Sequence, residues 1–239
     1  MRIALLGYGK MGKTIETIAC ERNHNIVLRI NRENLHELTI ENLKNCDIAI
    51  EFSTPQTAVN NIYKCFEAGI PVIIGTTGWL EHFKEIKEKC IETNQTMLFA
   101  SNFSIGVNLF FELNRHLARI MNRHDEYDII LEEIHHIHKK DSPSGTGITL
   151  AEGLIENIDR KNKWVEGEVK SKSELQIISK RIDEVPGTHI IKYCSEIDDI
   201  EIKHQAHSRK GFAIGAVVAA EWLSGKKGVY GMNDVLGLH

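Results

Sequence analysis

Residues 3–6 are apolar without polar alternation, residues 7–12 read Gly7-Tyr8-Gly9-Lys10-Met11-Gly12, and residues 11–22 repeat apolar side chains at helical spacing. A strand buried on both faces, then a tight turn, then a helix is how a parallel α/β sheet begins. The spacing G-x-G-x-x-G is weak alone. Placed between a strand and a helix, it reads as a dinucleotide fingerprint. The first glycine makes the turn, the second lets the backbone approach a pyrophosphate, and the third lets helix and strand pack closely. The diphosphate would rest on the amides at the helix N-terminus. A purely structural glycine turn is the competing reading.

The alternation continues. Strands are predicted at 26–30, 47–52, 72–74 and 96–100, and helices at 56–68 and 79–93. This is the pattern of a Rossmann-type, doubly wound parallel sheet, whose ligands sit at the carboxyl ends of the strands. Three polar tripeptides fall on that edge: Ser53-Thr54-Pro55, Thr76-Thr77-Gly78 and Ser101-Asn102-Phe103. The end of the second strand reads Arg29-Ile30-Asn31-Arg32-Glu33, so Asn31 stands where an acid normally holds the ribose hydroxyls. Asn31 does not repel a 2′-phosphate, and Arg32 and Lys10 could pair with one. The expectation is NADPH, with NADH accepted alongside; Arg32 also reads as an ordinary surface charge.

The second half changes character. A long helix is predicted at 104–122, with Val107, Leu109, Phe110, Leu113, Leu117 and Ile120 as its apolar face. A strand at 128–137, a helix at 147–158, successive strands within 169–203 and a final helix at 212–223 follow. Strands without intervening helices predict a second α+β domain on a mixed or antiparallel sheet.

The net charge of -4 and pI near 6.3 speak against nucleic acid or an anionic membrane as partner. No apolar run reaches the roughly 18 residues of a membrane helix. Five cysteines without a C-x-x-C pair suggest reduced thiols and a cytoplasmic setting.

Against that balance, residues 132–147 (EEIHHIHKKDSPSGTG) are locally cationic, with three histidines and two lysines within positions 135–140. A metal site is disfavoured: Asp141 precedes a turn, no cysteine is near, and the lysines oppose a divalent ion. A solvated basic edge is the bland reading. Anion binding with acid catalysis uses every feature. The Ser144-Gly145-Thr146 amides precede a helix and can cradle a carboxylate, and a histidine among cations gives up its proton readily.

With GTTG at 75–78, ASNFSIGVN at 100–108 and RIDEVPGTH at 181–189, the whole chain resembles the dihydrodipicolinate reductase family, also called 4-hydroxy-tetrahydrodipicolinate reductases. The resemblance implies NADPH- or NADH-dependent reduction of a small cyclic dicarboxylate in diaminopimelate and lysine biosynthesis. It implies His135 as catalytic acid-base and Lys139 as proton donor, with His136, Gly145 and Thr146 on the substrate carboxylates. Gly7, Tyr8, Gly9, Lys10, Met11, Gly12, Gly75, Thr76, Thr77, Ala100, Ser101, Asn102 and Phe103 would contact the cofactor. It implies a dinucleotide-binding domain over 1–103 and 209–239, a substrate and oligomerisation domain over 104–208, and a homotetramer formed through the second sheet. Asp183 stands where the family often has Gly, and Ser142 where Ala is common; both are expected to be of local consequence only.

Two alternatives remain at this stage. A dinucleotide-sensing regulator should carry a DNA-reading helix and a basic surface. The other is a different Rossmann reductase acting on an aldehyde or semialdehyde; a thioester-forming one needs a cysteine nucleophile, and none is convincingly placed.

Overall fold

The computed structural model describes residues 1–238. Two compact units emerge, one made of Met1–Ile105 with the chain from Lys210 onward, the other of Gly106–Arg209.

The first unit contains β1 (Arg2–Leu6), α1 (Lys10–Glu21), β2 (Asn25–Ile30), α2 (Ile40–Lys44), β3 (Ile48–Glu51), α3 (Pro55–Ala68), β4 (Val72–Ile74), α4 (Phe83–Glu92) and β5 (Thr96–Phe99). The second unit contributes α5 (Ile105–Met121), β6 (Asp128–His135), α6 (Gly145–Ile155), β7 (Lys163–Glu166), β8 (Glu174–Arg181), β9 (Thr188–Cys194) and β10 (Asp199–Gln205). The chain then returns to the first unit with α7 (Lys210–Leu223), β11 (Gly228–Tyr230) and α8 (Met232–Leu236).

The first sheet is six-stranded in the order β11-β5-β4-β3-β1-β2, and every pairing is parallel. Strand alternation sends Ile3, Leu5, Ile48, Ile50 and Ile73 to one face, where α1 and α7 cover them. Ala4, Leu6, Ala49, Val72 and Ile74 go to the other face, with Ile62 and Phe66 of α3. Burial on both faces is why these strands read as continuous apolar runs. α7 approaches closely because its inner face is alanine and glycine; a Cβ at Gly215 would overlap the Phe103 carbonyl. The sequence reading missed α2, β7, β11 and α8, all too short to show periodicity. It also ran one helix over 79–93, where a 3-10 turn at Leu80–His82 precedes α4.

The second sheet is mixed, in the order β10-β9-β6-β8-β7. β6 runs parallel to β8 and antiparallel to β9. Ile129, Leu131, Leu175, Ile177, Ile191 and Tyr193 form its inner face, packed with Phe110, Ala118 and Met121 of α5 and Leu150, Ala151 and Leu154 of α6. The predicted face of α5 is therefore only half right. Val107 and Phe110 are buried, but Leu109, Leu113 and Ile120 are 48%, 48% and 50% exposed. The buried stripe instead runs through Asn114, Ala118 and Met121, and the Asn114 amide donates to the Leu150 carbonyl at 3.0 Å. A polar residue with a satisfied donor thus occupies a core position that hydrophobicity alone assigns elsewhere.

Candidate active site

In the parallel sheet, β2 and β3 leave β1 on opposite sides, so the chain reverses direction at the carboxyl end of β1. A cavity of about 560 Å³ opens there, lined by Gly7, Tyr8 and Gly9 after β1, Asn31 and Arg32 after β2, and Phe52, Ser53 and Thr54 after β3. Ligands of doubly wound sheets bind at such a switch point. The three glycines do different jobs. Gly7 has φ +106°, and a Cβ there would overlap the Phe52 carbonyl; its N–H and that of Tyr8 both donate to the Ile30 carbonyl, at 2.9 and 2.8 Å. A Cβ at Gly12 would overlap the Gly7 carbonyl. Gly9 caps α1 without any side-chain hydrogen bond, and a Cβ there would meet nothing within 4 Å. That open space at an uncapped helix start suits the close approach of a diphosphate.

Asn31 is committed to its own loop: its side-chain oxygen accepts from the Glu33 N–H at 2.7 Å, and its backbone N–H donates to the Asn34 side-chain oxygen at 2.8 Å. Thr77 and Ser101 are exposed at the ends of β4 and β5, and the Asn102 side-chain oxygen accepts from the Ser104 N–H. Thr76 and Phe103, both expected at the cofactor, are buried in the fold itself. The Thr76 hydroxyl accepts from the Ser53 N–H at 2.8 Å, and the Phe103 ring lies 5.6 Å from that of Phe52. Gly75 gives that Phe52 ring its room. Beneath this edge lies Glu51, fully buried, accepting from Ser53 and Asn61; burial raises its pKa. The sequence reading assigned Glu51 no role.

In the second unit, β6 ends at His135, earlier than the predicted 137, so strand alternation does not extend through the cluster. His136 and Lys139 lie in the following turn, closed by the Lys139 N–H to the His136 carbonyl at 3.1 Å. Along the inner face of β6, Ile129 and Leu131 are followed by Glu133 and His135, all buried. Glu133 accepts from the Ser144 N–H at 3.0 Å to each oxygen, from the Ser144 hydroxyl, and from Arg181 at 3.2 and 3.3 Å. Ser144 caps α6 by accepting from the Gly147 N–H at 3.0 Å. The first amide of the expected carboxylate nest is thus already held by the chain's own Glu133, while a Cβ at Gly145 would meet nothing within 4 Å.

His189, brought opposite Glu133 by the antiparallel register of β9, stands edge-on to His135 with ring centroids 5.1 Å apart. Glu133, His135 and His189 offer ligand atoms within 4.8 Å of one another, a convergence the sequence argument about metals did not foresee. Arg181 and Ser144 already occupy both Glu133 oxygens, so a further cation would meet the guanidinium. The His135 pKa is lowered first by burial, with Lys139 and Arg181 adding and Glu133 and Asp141 opposing. Sequence reasoning named only the neighbouring cations. Burial also brings His189 down to about 3. The Lys139 ammonium is paired with Asp141 at 2.8 and 3.0 Å, and His136 Nε2 lies 3.3 Å from Arg209. Ser142 is more than a neutral replacement, since its hydroxyl donates to Glu166 of β7.

Sequence models of the dihydrodipicolinate reductase N-terminus and C-terminus match residues 1–103 and 106–236. The chain belongs to the dihydrodipicolinate reductase family. It is 49% identical over 237 residues to the 4-hydroxy-tetrahydrodipicolinate reductase of Christiangramia forsetii, covering 99% of this chain and 98% of that one. The enzyme of the same name from Methanoregula boonei is 36% identical over 198 residues, 82% of this chain and 76% of that one. Among solved structures, a dipicolinate-bound dihydrodipicolinate reductase from Paenisporosarcina sp. TG-14 superposes with a TM-score of 0.78 at 20% identity, covering 98% of each chain. That last likeness speaks for the fold. Within the second unit, Glu133, Arg181 and His189 are the residues the sequence reading left without a role. Glu133 could have been found from its i, i+2 relation to His135 on one strand face.

Proposed function

We propose that this protein catalyses the NAD(P)H-dependent reduction of 4-hydroxy-tetrahydrodipicolinate to tetrahydrodipicolinate in diaminopimelate and lysine biosynthesis. The observation that carries this reading is full-length identity of 49% to a reductase of that name. The reduced nicotinamide, when bound, supplies the hydride. Gly9 and the start of α1 would hold its diphosphate, and Arg32 would decide how well a 2′-phosphate is accepted. The substrate's carboxylates would be met by His136, Gly145 and Thr146. Loss of the 4-hydroxyl leaves a conjugated imine. As hydride adds, the developing negative charge on the substrate takes a proton from His135 or Lys139, a contribution typically of about 10²–10⁴-fold. Burial lowers the His135 pKa, which makes its protonated ring the stronger proton donor. A thioester route has little support, because burial pushes the Cys46 and Cys90 thiols up to about 11.

The assay couples the chain to the preceding synthase with pyruvate and aspartate semialdehyde and follows NADPH absorbance. No protein-dependent oxidation would end the proposal. His135→Gln and Lys139→Ala should each lower turnover at least about 100-fold while leaving NADPH affinity within about 2-fold. Equal loss of cofactor binding would remove both from the chemistry.

A homotetramer formed through the second sheet is part of the same reading. The outer face of that sheet carries Ile130, Ile134, Ile178 and Ile190, all half-buried in the single chain. Light scattering of the purified protein reads the assembly directly. A cytoplasmic setting agrees with five free thiols and with the absence, among the described residues, of any helix long and apolar enough to cross a membrane.

A further inference from the structure

Glu133 is fully buried and fixed by three donors, the Ser144 N–H, the Ser144 hydroxyl and the Arg181 guanidinium. Its Oε1 lies 3.8 Å from His135 Nδ1, a buried nitrogen with no hydrogen-bond partner. At the far side of the same ring, Nε2 faces the backbone of Gly187, where a Cβ would come within 3.2 Å. A buried imidazole nitrogen without a partner is costly, and the Glu133 carboxylate is an acceptor close at hand for this one. A shift of the ring by about 1 Å would bring Nδ1 to hydrogen-bonding distance of the carboxylate. The carboxylate cannot turn away, because its other contacts hold it.

We propose that Glu133 is the positioning residue for His135: its locked carboxylate takes the Nδ1 proton in a hydrogen bond and leaves Nε2 as the atom that exchanges a proton with the substrate. This rests on the reading of His135 as the proton-transferring group. In the protonated state the ring carries N–H at both nitrogens. When Nε2–H passes its proton to the substrate, the neutral ring keeps the proton on Nδ1, facing Glu133, and Nε2 is recharged from solvent. The groups that face His135 divide in sign. Glu133 and Asp141 favour the protonated ring, Lys139 and Arg181 oppose it, and the neutral edge of His189 fills the remaining side. Gly187 keeps the Nε2 side clear of a side chain. Arg181 has a second task in this arrangement. By donating to the Asp141 carbonyl at 2.6 Å it ties the loop before α6 to the same carboxylate.

The test is heteronuclear NMR titration of His135 in the full-length protein, wild type against Glu133→Gln, with the pH profile of kcat measured in parallel. In the wild type the neutral ring should be the Nδ1–H tautomer. In Glu133→Gln its midpoint should fall by about one pH unit. The ionisation seen in kcat should fall with it, kcat at pH 7 should drop about 10-fold or more, and the KM for NADPH should stay within 2-fold. Glu133→Asp should recover part of the midpoint. A neutral ring protonated on Nε2 in the wild type overturns the proposal, and that measurement needs no variant to fold. So does an unmoved His135 midpoint in a folded Glu133→Gln protein. If the midpoint moves but His135→Gln keeps full turnover, the positioning stands as geometry and the catalytic reading of His135 is what fails.

Discussion

Arg181 donates to Glu133 Oε1 from both terminal nitrogens, at 3.3 and 3.2 Å, where the carboxylate is fully buried and the guanidinium side chain is 20% exposed. The pair joins the end of β8 to the inner face of β6, with the N-terminus of α6 closing over it. Breaking such a pair costs more than forming it returns, because the surviving charge stays buried. Arg181→Ala should therefore lower stability by about 2–3 kcal/mol, discounted from the full buried-pair figure for the partial exposure of Arg181. Urea unfolding at pH 7 measures it. A loss under about 0.5 kcal/mol would mean that the Ser144 donors alone satisfy Glu133.

The His189 imidazole, held down to about 3 by burial, stays neutral in the folded protein where the unfolded chain protonates near 6.5. Between those values the unfolded state binds the extra proton, so this group makes stability fall as pH drops from about 6.5. By pH 5 the loss from His189 alone is about 2 kcal/mol. His135 and His204, both lowered by burial, act with the same sign. Glu51, raised by burial, acts with the opposite one. His189→Gln should thus shrink the difference in unfolding free energy between pH 7 and pH 5 by about 2 kcal/mol. An unchanged difference would show that His189 is protonated in the folded protein.

Two glycines, Gly9 at the start of α1 and Gly12 within it, should separate binding from folding. Gly9→Ser adds a hydroxyl at a helix cap in open space, so its melting temperature should match the wild type while NAD(P)H binds at least about 10-fold more weakly. Gly12→Ala forces a methyl onto the Gly7 carbonyl and should cost about 1–3 kcal/mol of stability. Calorimetry and fluorescence titration of NADPH read the two effects. A destabilised Gly9→Ser with normal cofactor affinity would contradict this division.

Asp183 holds φ +40° in the turn between β8 and β9, where its carbonyl accepts from the Ile137 N–H at 3.1 Å. A left-handed backbone is strained for a residue with a Cβ and free for glycine, although glycine loses more entropy on folding. Asp183→Gly should be neutral to stabilising, by up to about 1 kcal/mol. A loss of more than about 1 kcal/mol would show that the Asp183 side chain is contributing.

Local pattern carried the sequence reading a long way. The apolar runs at 3–6, 48–50 and 72–74, the glycine spacing after the first of them, and the turn residues before α6 are all set by neighbours within a few positions. Strand, loop and helix start are therefore legible without a fold, and so was the presence of a basic, titratable turn after β6. What the sequence could not give was which groups meet. Glu133 and Arg181 lie 48 residues apart, and His189 reaches Glu133 only through the antiparallel register of β9. Asn114 takes a buried place in the α5 stripe because its amide finds the Leu150 carbonyl opposite it. Register and packing are cooperative properties of the whole sheet, fixed by which edges pair and which faces are covered. Tertiary structure alone therefore decided that a carboxylate fixed by a guanidinium lies beside the histidine that local sequence had already marked.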